Sequence, residues 1–522
     1  MKKKRRIQVV LLTLLVCSLV MVMTLPKLFQ KSKAQENGGV VIATTSKYKE
    51  MDYSFLKTFG FGNEYSGQSI LTFDTAVDLM SSTNPTMKSG KYVTTKGYYE
   101  AGDFGGATYK ISDKKEGYGS ILLHNGLYAN LQPDSYTSKD GTKWVVLSVK
   151  QFGAKGDGVH EDQYCIIDAM QFGSDCVNNT AYNFDRSLIY LPEGEYKAVN
   201  QIQANVSNMN LVGEGDSSVI FTDNEYRLDY SYDEPFFASW NGKNNYFANF
   251  KLDAREVDIQ KYMRQMCLYY CENLYIYNVT YHIPQEAWSG EYFQDKQYTN
   301  LTFFSGNKNV TVDSCKLYQM SGTYRGANMG IMDFWKRGTE NITIMNCELH
   351  DNARDEQIGI FSLTGDTKNS YIKNVDFINN TMYSYTTPHK DVHQWRTMCF
   401  TVGYNPNNVE DINISGNHFI AEVDSKFMTF GDVKNCVVEN NIFEMVLREG
   451  PSVSIFDSSN SADENVLIRN NEFFITYFDN PNDDIGISTG HLTFTGNRVF
   501  TDASIYKVSE KMEFLIIMSL FV

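Results

Sequence analysis

Three carboxylates mark out the chemistry this chain could do. Asp333 lies in Gly330-Ile331-Met332-Asp333-Phe334-Trp335, and Asp355 and Glu356 lie together in Asn352-Ala353-Arg354-Asp355-Glu356-Gln357-Ile358. Carboxylates held close repel, which raises one pKa while the other stays ionised, and that split is what an acid–base pair needs. Glycoside hydrolysis uses separations of about 5–5.5 Å for retention and about 6.5–9.5 Å for inversion. Trp335 offers an apolar face to a sugar ring, and Arg354 adjoins the pair. Further on, His389, Lys390, Asp391, His393 and Arg396 add an imidazole to move protons and a guanidinium to clamp a uronate or serve as a lyase base. The bland alternatives are that His389 and His393 are loop residues and that Arg396 pairs with Glu356. The expected catalytic set is therefore Asp333, Asp355 and Glu356. The expected substrate contacts are Trp335, Arg354, His393 and Arg396, and no metal site is expected from Cys or His.

The elements that must position these residues repeat. Asn273-Leu274-Tyr275-Ile276, Asn309-Val310-Thr311-Val312, Asn341-Ile342-Thr343-Ile344, Ser370 to Asn374, Asp411 to Ile414, Asn435 to Val438 and Asn465 to Ile468 are short alternating strands. A second strand precedes each of the later ones, as in Gly330-Ile331-Met332, Ile358 to Phe361 and Phe427 to Phe430. Two to three short strands per repeat make one coil of a solenoid, which buries its face only by stacking on its neighbours. At a strand spacing of about 4.8 Å, carboxylates on adjacent coils lie about 5 Å apart and those on alternate coils about 10 Å. Asn at the corners suits left-handed turns and amide ladders. Cys315 and Cys347 fall at equivalent places, which predicts small apolar side chains stacked inside a coil rather than metal ligands.

Composition bounds the rest. The chain has 522 residues, 42% hydrophobic and 21% charged, enough for one large core plus smaller additions. A formal charge of −15 argues against nucleic acid, whose phosphates need basic density. Lys2, Lys3, Lys4, Arg5 and Arg6 precede an apolar run from Val9 to Leu25, which reads as an export signal or short membrane anchor. A sparse, odd count of nine cysteines speaks against a disulfide framework. The expected organisation is a signal or anchor over 1–34, a linker over 35–57, a small domain over 58–143, the solenoid over 144–505 and a cap or truncated end over 506–522. Within the small domain, Asp74 to Met80 has helical spacing with an Asp start signal, and Tyr92 to Thr95 and Ala107 to Ile111 have strand composition.

Val149-Lys150-Gln151-Phe152-Gly153-Ala154-Lys155-Gly156-Asp157-Gly158-Val159, followed by a helix-like stretch to Met170, resembles the opening signature of the pectate lyase-like superfamily. So does Leu188 to Tyr196. The resemblance implies an all-β protein, a right-handed parallel β-helix with an N-terminal capping helix, and Gly97-Tyr98-Tyr99 to Gly106, which is similar to segments leading into tailspike-type β-helices, implies a small tailspike-like N-terminal domain. Asp157 is expected as a turn residue. The Asp355-Glu356 pair resembles the Asp-Asp motif of polygalacturonases, with Asp333 where that family places an earlier aspartate. The family's Asn-x-Asp element reads Asn328-Met329-Gly330 here, and its Gly-His-Gly and Arg-x-Lys elements are absent. The leading expectation is a secreted or surface-tethered glycoside hydrolase acting on a polysaccharide without a cofactor. The alternatives are a lyase using Ca²⁺ and an Arg base, and a non-catalytic glycan-binding adhesin. The membrane is met only through the N-terminal segment, and tailspike-like relatives allow a homotrimer.

Overall fold

The structure is a computed structural model that describes residues 47–62, 71–223, 235–255, 262–283, 297–319, 325–333, 335, 337–351, 358–362, 370–384, 400–403, 409–423, 426–447, 454–458, 464–477, 486–490, 492–501 and 512–517.

Asparagine sets the corners of a parallel β-helix. Asn273, Asn309, Asn341, Asn374, Asp411, Asn435 and Asn465 all have φ between 54° and 61°. That left-handed conformation suits Asn and Asp, whose short side chains bond locally. Their side chains also join the coils. The Nδ2 of Asn309 donates to Asn273 Oδ1 at 3.0 Å, Asn341 to Asn309 at 2.8 Å and Asn374 to Asn341 at 2.9 Å. Steps from corner to corner, from 24 to 37 residues, are the coil lengths.

Most coils give two strands to a 23-stranded sheet and one to a 10-stranded sheet. One coil runs through Lys308–Asp313, Lys316–Gln319 and Arg325–Asp333. A second left-handed corner separates the first two strands, at Ser314 here and at Asn346, Asn379, Gly416, Asn440 and Asn470 in later coils. The residue after that corner is buried each time: Cys315, Cys347, Asn380, Asn417, Asn441 and Asn471. The expected stack of Cys315 on Cys347 is therefore present, and amides continue it. Asn417 Nδ2 donates to Asn441 Oδ1, and Asn441 Nδ2 to Asn471 Oδ1, both at 3.0 Å. Beside this ladder Phe419, Phe443 and Phe473 stack at 4.9 and 4.7 Å.

The N-terminal end is capped as the opening motif implied. The Asp162 carboxylate accepts the N–H groups of Lys155 and Gly156, and Asp157 accepts those of Val159 and His160, the turn role expected of it. The helix Gln163–Asn178 then covers the first coil with Ile166, Ala169 and Met170 buried. Gly173 is needed there, since a Cβ on it would meet Ser187 Cβ at 2.8 Å.

The small domain holds a five-stranded sheet containing Tyr92–Thr95 and Ala107–Ser112. Its helix, Ala76–Ser81, is capped by Thr75 with Asp78 reciprocating, not by Asp74. The hairpin Asp134–Thr137 and Lys143–Ser148 already belongs to the long sheet, with Lys143–Ser148 parallel to Arg186–Tyr190. At the other end Met512–Ile517 is a strand paired with Thr493–Thr501. Among the described residues no helix is long and apolar enough to cross a membrane.

Residues 48–57, expected as the end of a linker, are instead part of a packed strap that continues to Phe61. Tyr48, Leu56 and Phe61 are buried against Trp144, Tyr190, Tyr246 and Tyr275 on the outer face of the long sheet. The strap's Lys49 reaches Asp313 at 2.7 Å. Asp313 is fully buried and also accepts from Tyr275 at 2.6 Å, Ser314 at 2.8 Å and Asn346 at 2.9 Å.

Candidate functional site

Register brings one column of polar rings onto the outward side of the second strand run. Asp253 pairs with His282, His282 with Tyr318, Tyr318 with His350 and His350 with Tyr383, coil upon coil. Alternation points the residues between them, such as Tyr281 and Leu317, into the core. Tyr318 and His350 stack at 4.8 Å, and His350 and Tyr383 at 4.3 Å, while His282 meets Tyr318 edge-on at 6.3 Å. Two residues back runs a parallel column through Thr280, Lys316, Glu348, Thr381 and His418.

Carboxylate–histidine pairs run within the first column and between the two. Asp253 Oδ1 lies 2.8 Å from His282 Nδ1, Glu348 Oε1 lies 2.6 Å from His350 Nε2, and Glu444 Oε1 lies 2.9 Å from His418 Nε2. Burial would raise the Asp253 carboxyl, but hydrogen bonds from His282, Lys251 and Arg255 outweigh it and hold the group well below the usual carboxylate range. An ionised carboxylate can only accept, so His282 donates to it through Nδ1, and a neutral imidazole in this tautomer offers its Nε2 lone pair to a ligand proton. The His282 side chain is 31% exposed, so a ligand can reach it. Burial, reinforced by Glu348, Asp216 and Tyr383, pushes the Tyr318 hydroxyl up and keeps it protonated as a donor. A proton acceptor thus stands one coil from a proton donor, about 5 Å along the helix axis.

Asp333 does not face outward with this set. It is fully buried, and its carboxylate accepts from the Ser305 hydroxyl at 2.9 Å and from the N–H groups of Arg337 at 3.3 Å and Gly338 at 3.2 Å. A carboxylate so enclosed anchors a turn, and its expected acid–base role gives way to that of a positioning residue. Its register partner, Ser362, ends the strand Ile358–Ser362, whose opposite end follows Asp355 and Glu356 in sequence. Asp355, Glu356, Arg354, His389, His393 and Arg396 lie outside the described residues. Asn328, which occupies the polygalacturonase-like Asn position, is buried in an amide ladder with Asn300.

Trp335 is exposed, and it crowns an aromatic cluster at the C-terminal ends of neighbouring strands of the ten-stranded sheet. Trp240 and Tyr269 stack at 3.8 Å with planes 5° apart, and Trp335 lies 5.8 and 5.6 Å from them and 4.6 Å from Phe304. The Ser305 hydroxyl that donates to Asp333 also accepts the Trp335 backbone N–H at 3.0 Å. The histidine–tyrosine column was not among the expected site residues. Its members stand a coil length apart in sequence, and that irregular spacing hides them until strand register is known.

Comparison with known proteins agrees with this architecture. Residues 146–287 match the family model described as rhamnogalacturonase A/epimerase, pectate lyase-like. A capsular polysaccharide depolymerase, the tailspike gp49 of Acinetobacter baumannii bacteriophage Fri1, is similar over 86% of this chain and 76% of its own, with 12% identity and a TM-score of 0.51. A tailspike variant of E. coli bacteriophage HK620 in complex with a pentasaccharide covers 73% and 68% at 12% identity and TM-score 0.47. An iota-carrageenase bound to iota-carrageenan fragments covers 69% and 95% at 12% and 0.43. By sequence, a non-secreted LysM effector, LysM19 of Penicillium expansum, is 25% identical over 184 residues, 31% of this chain. The chain spans 14% of the length of that curated relative. The first of the structures shares the parallel β-helix fold, and residues 146–287 are similar to the rhamnogalacturonase A/epimerase, pectate lyase-like family model.

Proposed function

We propose that this protein is an exported enzyme that depolymerises a polysaccharide along the outward column of His282, Tyr318, His350 and Tyr383. The observation that carries the reading is the Asp253–His282 pair set one coil from a protonated tyrosine, on an accessible face of the solenoid. The depolymerase named for a relative of the same fold supports the choice of a glycan substrate.

As a hydrolase, the enzyme draws its acid and base from Asp355 and Glu356. The segment carrying them follows directly on Glu348–Asp351, the strand that bears His350. His393 and Arg396 belong to the segment that follows Thr381–Ser384, the strand that bears Tyr383. These segments adjoin the column's strands in sequence, and the guanidinium groups of Arg354 and Arg396 suit anionic sugars.

The Asp253–His282 pair favours β-elimination as a second reading. There His282 Nε2 takes the proton α to a uronate carboxylate, the C4–O bond breaks as the C4–C5 double bond forms, and Tyr318 protonates the departing oxygen. Products separate the two. Incubation of the full chain with polygalacturonate, iota-carrageenan and a bacterial capsular polysaccharide, with and without Ca²⁺, yields new reducing ends without ultraviolet absorbance if it hydrolyses, and absorbing unsaturated ends if it eliminates. Binding without either product would overturn the enzymatic reading in favour of an adhesin.

A further inference from the structure

We infer that the cluster crowned by Trp335 is a second glycan-binding surface, separate from the column where cleavage is proposed, and that it takes a hexopyranose ring of the polymer without cutting it. The inference rests on the glycan-active reading for its class of ligand but not on where or how the chain is cleaved.

Three strands of the ten-stranded sheet supply the cluster. Trp240 and Tyr269 are register partners, and Tyr269 pairs with Ser305, the neighbour of Phe304. Trp335 lies just past the end of Arg325–Asp333. Tyr269 is 3% exposed whereas Trp335 is 44% exposed, so the lower rings form a base and the indole keeps a face for solvent. Arg337 lies 5.2 Å above the Tyr270 ring, and its guanidinium supplies donors at the rim for hydroxyls or a carboxylate.

The backbone that carries the indole is held in place. Ser305 accepts the Trp335 backbone N–H, Asp333 fixes Ser305, and the same carboxylate takes the N–H groups of Arg337 and Gly338. A buried carboxylate is costly unless fully hydrogen-bonded, and here its bonds shape the turn that presents an apolar ring to water. Core packing does not require such an arrangement; a flat ligand does. One exposed indole with a flanking arginine falls far short of the roughly 800 Å² per partner that a stable protein interface buries. It does match one or two sugar rings, whose C–H faces lie flat on an aromatic plane. Asn328 bonds the His350 carbonyl behind the histidine–tyrosine column, and its strand runs on to Asp333, about 16 Å at 3.3 Å per residue, before this surface begins.

Affinity electrophoresis of the full chain through gels containing polygalacturonate, iota-carrageenan or a bacterial capsular polysaccharide tests the assignment. We expect at least one polymer to retard the wild type, Trp335→Ala to weaken that retardation about tenfold or more, and Trp335→Phe to restore part of it. Asp333→Asn should weaken it as well, because Asp333 positions the ring. In a His282→Gln background Trp335→Ala should weaken retardation by the same factor as in the wild type, which keeps failure of the cleavage reading distinct from failure of this one. Retardation of no polymer, or equal retardation of Trp335→Ala and wild type at matched melting temperature, overturns the proposal. So does loss of retardation on His282→Gln with none on Trp335→Ala.

Discussion

Replacing Lys49 by Met breaks the ion pair that pins the strap to the solenoid. Asp313 is fully buried, and burial alone would push its carboxyl up. Bonds from Asn346, Lys49, Tyr275 and Ser314 instead hold it below the ordinary value. Removing one partner of a buried pair costs about 3–5 kcal/mol when the other charge is stranded. Three neutral donors remain to Asp313, and the Lys49 side chain is 29% exposed, so the loss falls to about 2–3 kcal/mol. For a cooperative unit of about 150–250 residues that lowers the melting temperature by roughly 4–12 °C. A double-mutant cycle with Asp313→Asn, read by thermal melting, should return a coupling above about 1 kcal/mol. Limited proteolysis should open residues 47–62 in Lys49→Met first, because the strap is the element released. Wild-type melting of Lys49→Met, or strictly additive single changes, would refute the account of the strap.

Three further outcomes follow from the same geometry. Asn441→Ala strips the buried Asn417 N–H and amide of their acceptor and Ile414 O of its donor, so chemical denaturation should show a loss of about 3–6 kcal/mol, and a loss under 1 kcal/mol would mean the inner ladder is dispensable. Asp253 and Asp313 both have folded pKa values below their unfolded ones, so their contribution is complete above the unfolded value of about 3.9 and lost as pH falls further. Melting temperature should therefore be flat on the neutral side and drop below about pH 4, more shallowly in Asp253→Asn; an unchanged acid limb in that variant would contradict the assigned bonding. Burial pushes the Cys165 and Cys176 thiols up to about 12, so both should resist alkylation near neutral pH until the protein is denatured, and rapid labelling of the native chain would count against the helix packing.

The solenoid was legible because its corners are chemically marked. A residue that tolerates φ near 55° must recur once per coil, and Asn273, Asn309, Asn341 and Asn435 print that requirement directly into the sequence. The capping turn was legible for the same reason, through Gly153, Gly156 and Asp157. The strap was not, since Tyr48, Tyr53, Phe55 and Phe61 follow no helical or strand period and owe their burial wholly to partners such as Trp144 and Tyr246. Asp333 was read as an outward acid because alternation along a strand does not foresee a turn folding back onto its last residue, nor Ser305 reaching it from the previous coil. His282, Tyr318 and His350 went unread because coils of unequal length erase any fixed spacing between neighbours in space.

The central claim is that polysaccharide cleavage occurs at the outward histidine–tyrosine column. Its most direct test is the initial cleavage rate of His282→Gln and Tyr318→Phe against wild type on whichever polymer of the panel is degraded, at matched melting temperature. Where His282 and Tyr318 move the protons, as in β-elimination, their loss should slow cleavage about 10²–10⁴-fold in each variant, and where Asp355 and Glu356 do so in hydrolysis the lost glycan contacts should still slow it by a smaller factor. Full wild-type rates in both would contradict the account and move the chemistry elsewhere on the solenoid.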